Sequence, residues 1–280
     1  MSTSVFTPLQ SADYAFLIGL IESPITLTDD EKLRRLAEEA AHDDTGIARE
    51  ALDRQLLKEI RYLGSSEIGY WTRSLTGQEP GTSFNSIIQD VAKALKVKIA
   101  FLGTEREQME ALVEAYVTKA FADLSPAEQQ KMLESLGIER KAAADFLKRS
   151  AGVFALPLLL QAFSAIVVEG LIKRVIFGSI AKIIGSQLAA RLFTFVAGRF
   201  PWWLGWIGPA AWTVSIGWTV FDLQGPNKRK TIPIVLYLGL CSLRDRYGVS
   251  PASSEPDPSA SSEASAPSSD EADEASASDA

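Results

Sequence analysis

Two charge-free runs dominate this chain and decide its fold: AGVFALPLLLQAFSAIVV at Ala151–Val168 and FPWWLGWIGPAAWTVSIGWTVF at Phe200–Phe221. The second run carries five of the six tryptophans of the chain, at Trp202, Trp203, Trp206, Trp212 and Trp218. Five basic residues lie between the runs, with Glu169 as the one acidic residue among them: Lys173, Arg174, Lys182, Arg191 and Arg199. Tryptophans and cations beside apolar helices are typical of the boundary between a bilayer and water. The pattern therefore predicts a helical protein that associates with a membrane.

Charge is distributed unevenly along the chain, although the net charge is only −7. Residues 1–140 carry a net charge of −8, residues 141–250 carry +9, and residues 251–280 carry −8. A basic, apolar middle can contact anionic lipid or pair with the acidic parts of the same chain. Nucleic acid is not an expected partner, because these cations lie among long aliphatic runs rather than on a polar face.

The first half of the chain has the pattern of a helical domain, predicted over residues 1–150. Capping boxes mark three helix starts, at Thr28–Glu31, Thr104–Glu107 and Ser125–Glu128, and apolar residues at helical spacing follow them. Ser83 opens a further amphipathic helix. Evidence for a strand is confined to short stretches such as Val97–Leu102, so the expected fold class is all-α.

The second half is predicted to form an apolar, basic helical domain over residues 151–248. Proline and glycine interrupt the tryptophan-rich run, which favours a re-entrant or interfacial hairpin around Gly205–Pro209 over one straight span. Ile232–Leu243 is an apolar helix too short to span a bilayer, so it is expected in a core or at an interface. Residues 249–280 contain mainly Ser, Ala, Pro, Asp and Glu, which predicts a disordered acidic tail. The tail either keeps the chain soluble or masks the basic middle.

A small residue recurs every four positions at Ala181, Gly185 and Ala189. This spacing allows two helix backbones to approach closely, either in lipid or in a soluble bundle, and the sequence leaves both open. The three residues are the predicted helix-packing site.

Residues that could carry catalysis are sparse, and we expect a non-enzymatic protein without a metal or cofactor. The densest polar cluster is His42–Gly46, which either ligates a cation or ends a helix at Gly46; the latter is favoured because a second histidine is lacking. The single cysteine, Cys241, excludes an intramolecular disulfide and is expected to be buried in its apolar helix. Glu169 is expected to pair with Lys173 four residues later.

Several segments resemble the YaaW-type family of uncharacterised bacterial proteins. They are the His42-Asp43 element, YLGSSEI at 62–68, IIQDVAKALKVK at 87–98, SPAEQQKMLESLG at 125–137, GPAA at 208–211, and TIPI with CSLR between 231 and 244. The resemblance covers about residues 10–247 and implies an all-α bacterial protein of unassigned role. The chain departs from the family in its tryptophan-rich run and its acidic tail.

These patterns predict a membrane-associated protein in which residues 1–150 bind an unknown protein partner and the apolar part is the anchor. The expected membrane-contact residues share aromatic or basic character: Trp202, Trp203, Trp206, Trp212, Trp218, Lys173, Arg174 and Arg199. MSTSVFTPLQ at the start lacks the pattern of a signal peptide, so we expect synthesis in the cytoplasm and association with anionic lipid of the inner membrane. The sequence also leaves a homo-oligomer open. The alternatives are a pore-forming effector or toxin and a soluble helical scaffold with a buried tryptophan cluster.

Overall fold

The computed structural model describes residues 4–22, 30–43, 45–65, 82–150, 154–185, 187, 189, 190, 192 and 228–247. Within these ranges the chain is helical, which confirms the all-α fold class. A 3-10 turn at Ser4–Phe6 precedes the α-helices, which are α1 (Ser11–Ile21), α2 (Asp30–Ala41), α3 (Ile47–Leu63), α4 (Phe84–Leu95), α5 (Glu105–Ala122), α6 (Pro126–Glu134), α7 (Arg140–Ser150), α8 (Leu156–Ala162), α9 (Ala165–Ile184) and α10 (Lys228–Tyr247).

Capping side chains start several of these helices, as the sequence predicts. The Thr104 hydroxyl accepts from the Glu107 amide, and the Glu107 carboxylate accepts from the Thr104 amide at 2.7 Å, so two first-turn donors are satisfied. Ser125 opens α6 with the same capping box, and the Ser83 hydroxyl caps α4. The predicted cap at Thr28 lies outside the described residues, and α2 begins two positions later.

Helix α10 lies at the centre of the fold. Every residue from Thr231 to Arg244 is buried, and the helix packs against α1, α3, α4, α5 and α9. A helix that is apolar around its whole circumference requires such an enclosure. Ile232–Leu243 is therefore core, which decides between the two positions that the sequence allowed.

Helix α1 runs antiparallel to α10. Asp13, near the start of α1, contacts Arg244 near the end of α10, whereas the carbonyl of Ile21 accepts from Lys230 at the other end. We call the first end of the bundle the clamp end, marked by Asp13 and Arg244. The second is the loop end, marked by Ile21 and Lys230.

Helices α5 and α9 run in the same direction as α1, so three helices enclose α10 in antiparallel orientation. Glu110 in α5 meets Ser242, and Phe177 in α9 meets Tyr237 with ring centroids 6.2 Å apart. Tyr116 joins α5 to α9 through a 3.0 Å hydrogen bond to Ser179. The packing is close because α10 presents Gly239 to α5: a Cβ there would lie 2.8 Å from the carbonyl oxygen of Met109.

Described helices from both sides of the predicted boundary near residue 150 pack together, since α10 lies directly on α1 and α5. The division into two domains there stays a prediction. Val97–Leu102 is an extended connection between α4 and α5 within the described ranges, not a strand. The predicted tail and the tryptophan-rich run lie outside the described residues.

The four-residue repeat of small residues does not form one continuous helical stripe. Helix α9 ends at Ile184, and Gly185 has a φ of 88°, a backbone conformation that favours glycine. Ala181 is half-buried in α9, Gly185 is exposed and Ala189 is buried beyond the break. Among the described helices, none combines the length and apolar character that crossing a bilayer requires.

Candidate functional site

A buried carboxylate, Asp13, joins the first helix to the last. It accepts from the backbone amide of Gln10 at 2.7 Å, from the Tyr237 hydroxyl at 2.7 Å, and from both terminal nitrogens of Arg244 at 2.8 and 3.3 Å. The same guanidinium donates to the carbonyl of Pro8 at 2.7 Å. Asp13 thus caps α1 and holds α10 with one side chain. We call Asp13, Tyr237 and Arg244 the clamp.

Burial and charge act together on the protonation of the clamp. Burial raises the pKa of Tyr237 well above its ordinary value, and the nearby Asp13 charge adds to that shift. Burial acts to lower the pKa of Arg244, but the hydrogen bonds and charge of Asp13 outweigh it and the net pKa shift is upward. The phenol and the guanidinium therefore stay protonated, as donors to Asp13 must.

Beside the clamp, α9 contributes the ion pair between Glu169 and Lys173, which confirms the predicted pairing. Both side chains are about nine-tenths buried. Burial lowers the pKa of Lys173, and the hydrogen bond and charge of Glu169 act against that shift. A small cavity of about 20 Å³ lies between this pair and the clamp, large enough for about one water molecule.

Cys241 lines the same cavity and is buried, as the sequence predicts. Burial raises the pKa of its thiol well above the ordinary value, and the charge of Asp13 adds to the shift. A thiol with a raised pKa remains protonated at neutral pH and is a weak nucleophile. The cavity and its side chains therefore suit the linking of helices.

A second polar group joins α5 to α10 nearby. Arg106 donates through Nε to the Ser242 hydroxyl at 2.8 Å and to Glu110 at 3.1 Å, and Ser242 donates to Glu110. Buried polar groups that satisfy one another fix the register of packed helices. Sequence reasoning missed this group and the clamp, and the available signal was a charged or polar residue within an otherwise apolar helix.

The loop end is closed differently. The Lys230 ammonium donates to the carbonyl of Ile21 at 2.7 Å, which places a cation at the C-terminus of α1 where the helix dipole favours it. The side chain of Leu192 lies directly over Gly19, leaving no room for a Cβ there. Leu192 and Lys230 thus both meet the last turn of α1, although residues 193–227 separate them.

The predicted membrane-contact residues divide into two groups. The tryptophans and Arg199 lie outside the described residues. Lys173 lies inside the fold and pairs with Glu169, so its ammonium does not face an outer surface. Arg174 is half-buried and donates to the Ser135 hydroxyl at the end of α6. Arg174 therefore links α9 to α6, whereas Lys173 pairs within α9.

The polar cluster at residues 42–46 is a turn that starts α3. Asp43 accepts from the amide of Thr45 at 2.8 Å and from the amide of Ala48 at 2.6 Å. Hydrogen bonds from the Thr45 side chain and from these amides lower the pKa of Asp43. Gly46 precedes the first residue of α3 with a φ of 79°, so the expectation that it ends the preceding helix is wrong.

The chain is similar to a UPF0174 protein from Helicobacter pylori, with 24% identity over 197 residues that cover 68% of this chain and 70% of the relative. No protein-family model and no solved structure matches it. The chain is thus a distant homologue of a protein from an uncharacterised bacterial family.

Proposed function

We propose that this chain is a non-enzymatic, membrane-associated helical protein, held at an anionic bilayer surface by its tryptophan-rich segment, residues 193–227. We also propose that it is a member of the YaaW-type family, on the basis of the segments quoted above and the similarity to the Helicobacter protein. Residues 1–150 would present the surface for a protein partner.

The observation that carries the anchor proposal is the position of the two ends of the segment. Leu192 lies over Gly19 and Lys230 binds the carbonyl of Ile21, so the residues that flank the segment both contact α1 at the loop end. The segment between them contains five tryptophans and only two charged residues, Arg199 and Asp222. An apolar, aromatic segment fixed at both ends to one end of a folded unit has the composition and attachment of an interfacial anchor.

Basic residues at the start of α10 favour an anionic surface. Lys228 is half-buried and Arg229 is exposed, next to Lys230. Cations at a helix N-terminus are unfavourable for the helix, because its dipole places partial positive charge there. Helix stability therefore does not explain this cluster. Anionic headgroups would, since each nearby Lys or Arg contributes about 1 kcal/mol to attraction by such a surface.

The protein-partner part of the proposal has separate support in exposed apolar side chains of the first 150 residues. Ile47 is 69% exposed and Leu102 is 79% exposed, with Phe101 beside it. Isolated exposed apolar residues are common, so these positions mark where a partner would be sought by cross-linking.

Co-flotation of the full chain with vesicles tests the anchor. The triple change Trp202→Ala, Trp203→Ala and Trp206→Ala should reduce flotation with phosphatidylglycerol-containing vesicles and leave helical content, measured by circular dichroism, nearly intact. Trp71→Ala is the matched control, because it removes the one tryptophan outside the segment, and it should float like the unchanged protein. Lys228→Gln with Arg229→Gln should make flotation less dependent on anionic lipid.

The outcomes separate the proposed anchor from its alternatives. Loss of folding in the triple variant would mean that the rings form protein core, as in a soluble scaffold, and would contradict the anchor. Release of an encapsulated dye by the unchanged protein would indicate a pore-forming protein instead. Binding without leakage, lost in the triple variant alone, is the result that the proposal requires.

A further inference from the structure

A second surface of the unit combines exposed apolar side chains with exposed cations, and it lies among described residues. Leu158 in α8 is 41% exposed and Ile166 at the start of α9 is 52% exposed, with Pro157 and Ala162 exposed between and beside them. If α8 were buried in the fold, these large apolar side chains would be covered; their exposure marks a contact surface. We call these four residues the α8 surface.

Cations are exposed on the helix that precedes the α8 surface. Helix α7 buries Ala143 and Phe146, while its basic residues are exposed: Arg140, Lys141, Lys148 and Arg149. Phe146 packs on Phe163, immediately after α8, with ring centroids 4.9 Å apart, so α7 contacts the end of α8. An exposed apolar patch next to a basic amphipathic helix matches a lipid interface, where acyl chains meet anionic headgroups.

We infer that the α8 surface, together with Lys148 and Arg149, is a second contact with anionic lipid. This inference rests on the proposed membrane association and adds an orientation to it. Helix α8 has seven residues, far too few to cross a bilayer, so it would lie within the headgroup region. A protein partner of opposite charge is the competing occupant, and the experiment below separates the two.

The orientation follows from α9, which joins this surface to the loop end. Helix α9 has 20 residues and is therefore about 30 Å long. Ile166 lies in its first turn, and Leu192 follows its last turn in the sequence. One stripe of half-buried or exposed residues without charge runs along its length: Val167, Gly178, Ala181 and Gly185. Both lipid contacts therefore meet one flat bilayer when α9 lies along the bilayer plane.

The test places a polarity-sensitive fluorophore on the α8 surface of the full chain. Ile166→Cys is labelled, and Ile47→Cys is the matched control, because that isoleucine is more exposed and lies in α3 beside Asp43 and Glu50. The native Cys241 is buried and does not compete for the label. Each protein is mixed with vesicles of phosphatidylcholine and phosphatidylglycerol, with and without brominated acyl chains.

We expect the label at position 166 to shift to the blue and to be quenched by brominated lipid, while the label at position 47 changes little. Lys148→Gln with Arg149→Gln should weaken vesicle affinity by roughly tenfold or more. A protein that binds the vesicles while the label at position 166 stays unquenched would overturn the inference and leave the tryptophan anchor standing. Quenching that persists when Trp202, Trp203 and Trp206 are changed to Ala would support the α8 surface even if the anchor fails. Absence of any vesicle binding would reject both.

Discussion

The clamp end and the loop end close the same pair of helices, α1 and α10, by different means. At the clamp end the Asp13 carboxylate, 1% exposed, accepts from four donors and pairs with the buried Arg244 guanidinium. At the loop end the half-buried Lys230 donates to the Ile21 carbonyl. Loss of either clamp partner would leave the other charge buried and unpaired, which is costly, whereas Lys230 is half-buried, so water can replace a lost hydrogen bond there.

This difference between the two ends is consistent with the proposed anchor at the loop end. The clamp fixes the register of α1 against α10 and depends on no outside partner. The loop end holds the segment that we propose as the anchor, and a weakly closed end can adjust to a lipid surface without unfolding the bundle. Changes at the two ends should therefore differ in cost and in what they affect.

Removing the clamp carboxylate should have the largest effect. Asp13→Ala leaves the Arg244 charge and the Tyr237 hydroxyl buried without the carboxylate that they share, and we expect a loss of about 3–5 kcal/mol in the free energy of unfolding. Urea denaturation followed by circular dichroism measures it. Asp90→Ala is the control, because its pair with Lys93 is exposed, and it should cost under about 1 kcal/mol. Equal costs for the two changes would contradict a structural clamp.

The next effect concerns the close approach of α10 to α5, midway between the ends. Gly239→Ala places a methyl group 2.8 Å from the Met109 carbonyl oxygen and 2.6 Å from a methyl of Val113, so we expect destabilisation of about 1–3 kcal/mol. Gly64→Ala is the comparison, because the close contacts of the added methyl are with the Ile87 side chain rather than with the backbone. Thermal melts of both variants should rank Gly239→Ala as the more damaging, and the reverse order would refute the packing described.

At the loop end, Lys230→Met removes one hydrogen bond to a helix C-terminus and should cost about 1 kcal/mol. The same urea titration that measures Asp13→Ala gives the value. A cost as large as that of Asp13→Ala would show that the two ends are equally closed, and the comparison would fail.

The smallest effect is a pH dependence at a carboxylate with a neutral partner. Tyr14 in α1 donates to Asp53 at 2.6 Å, and burial raises the pKa of Asp53 above its ordinary value of 3.8 despite that hydrogen bond. A raised folded-state pKa gives stability that is fully present below 3.8 and is lost as the pH rises through the folded value. The stability of the unchanged protein relative to Asp53→Asn should therefore fall across that interval. If the stability of the unchanged protein relative to Asp53→Asn rises with pH in that interval, burial is not the dominant influence on the pKa of Asp53.

Local features of the fold were predictable from the sequence, and distant ones were not. The capping box at Thr104 and the pair of Glu169 with Lys173 involve residues three and four positions apart, so helical geometry alone brings them together. Asp13 and Arg244 are 231 positions apart, and their pairing depends on the antiparallel packing of α1 on α10. The same packing turned Lys173 inward, which composition could not indicate.

The glycines show the same limit at single positions. Gly46 and Gly185 both occupy conformations with positive φ, and composition alone identifies each as a possible break. Whether a glycine ends one helix or precedes the next depends on its neighbours: Asp43 caps α3, which places Gly46 at a helix start. At Gly185 the four-residue spacing of small residues continues past the end of α9, so Ala181 and Ala189 lie on opposite sides of a break.

Tryptophan emission on addition of anionic vesicles tests the proposed anchor most directly. Five of the six tryptophans lie between residues 200 and 221, so the signal reports mainly on that segment. We predict a blue shift when phosphatidylglycerol-containing vesicles are added, together with protection from iodide that the vesicle-free protein lacks. Emission that is already blue, inaccessible to iodide and unchanged by vesicles would mean that the rings are buried in protein, and it would contradict the membrane-associated function.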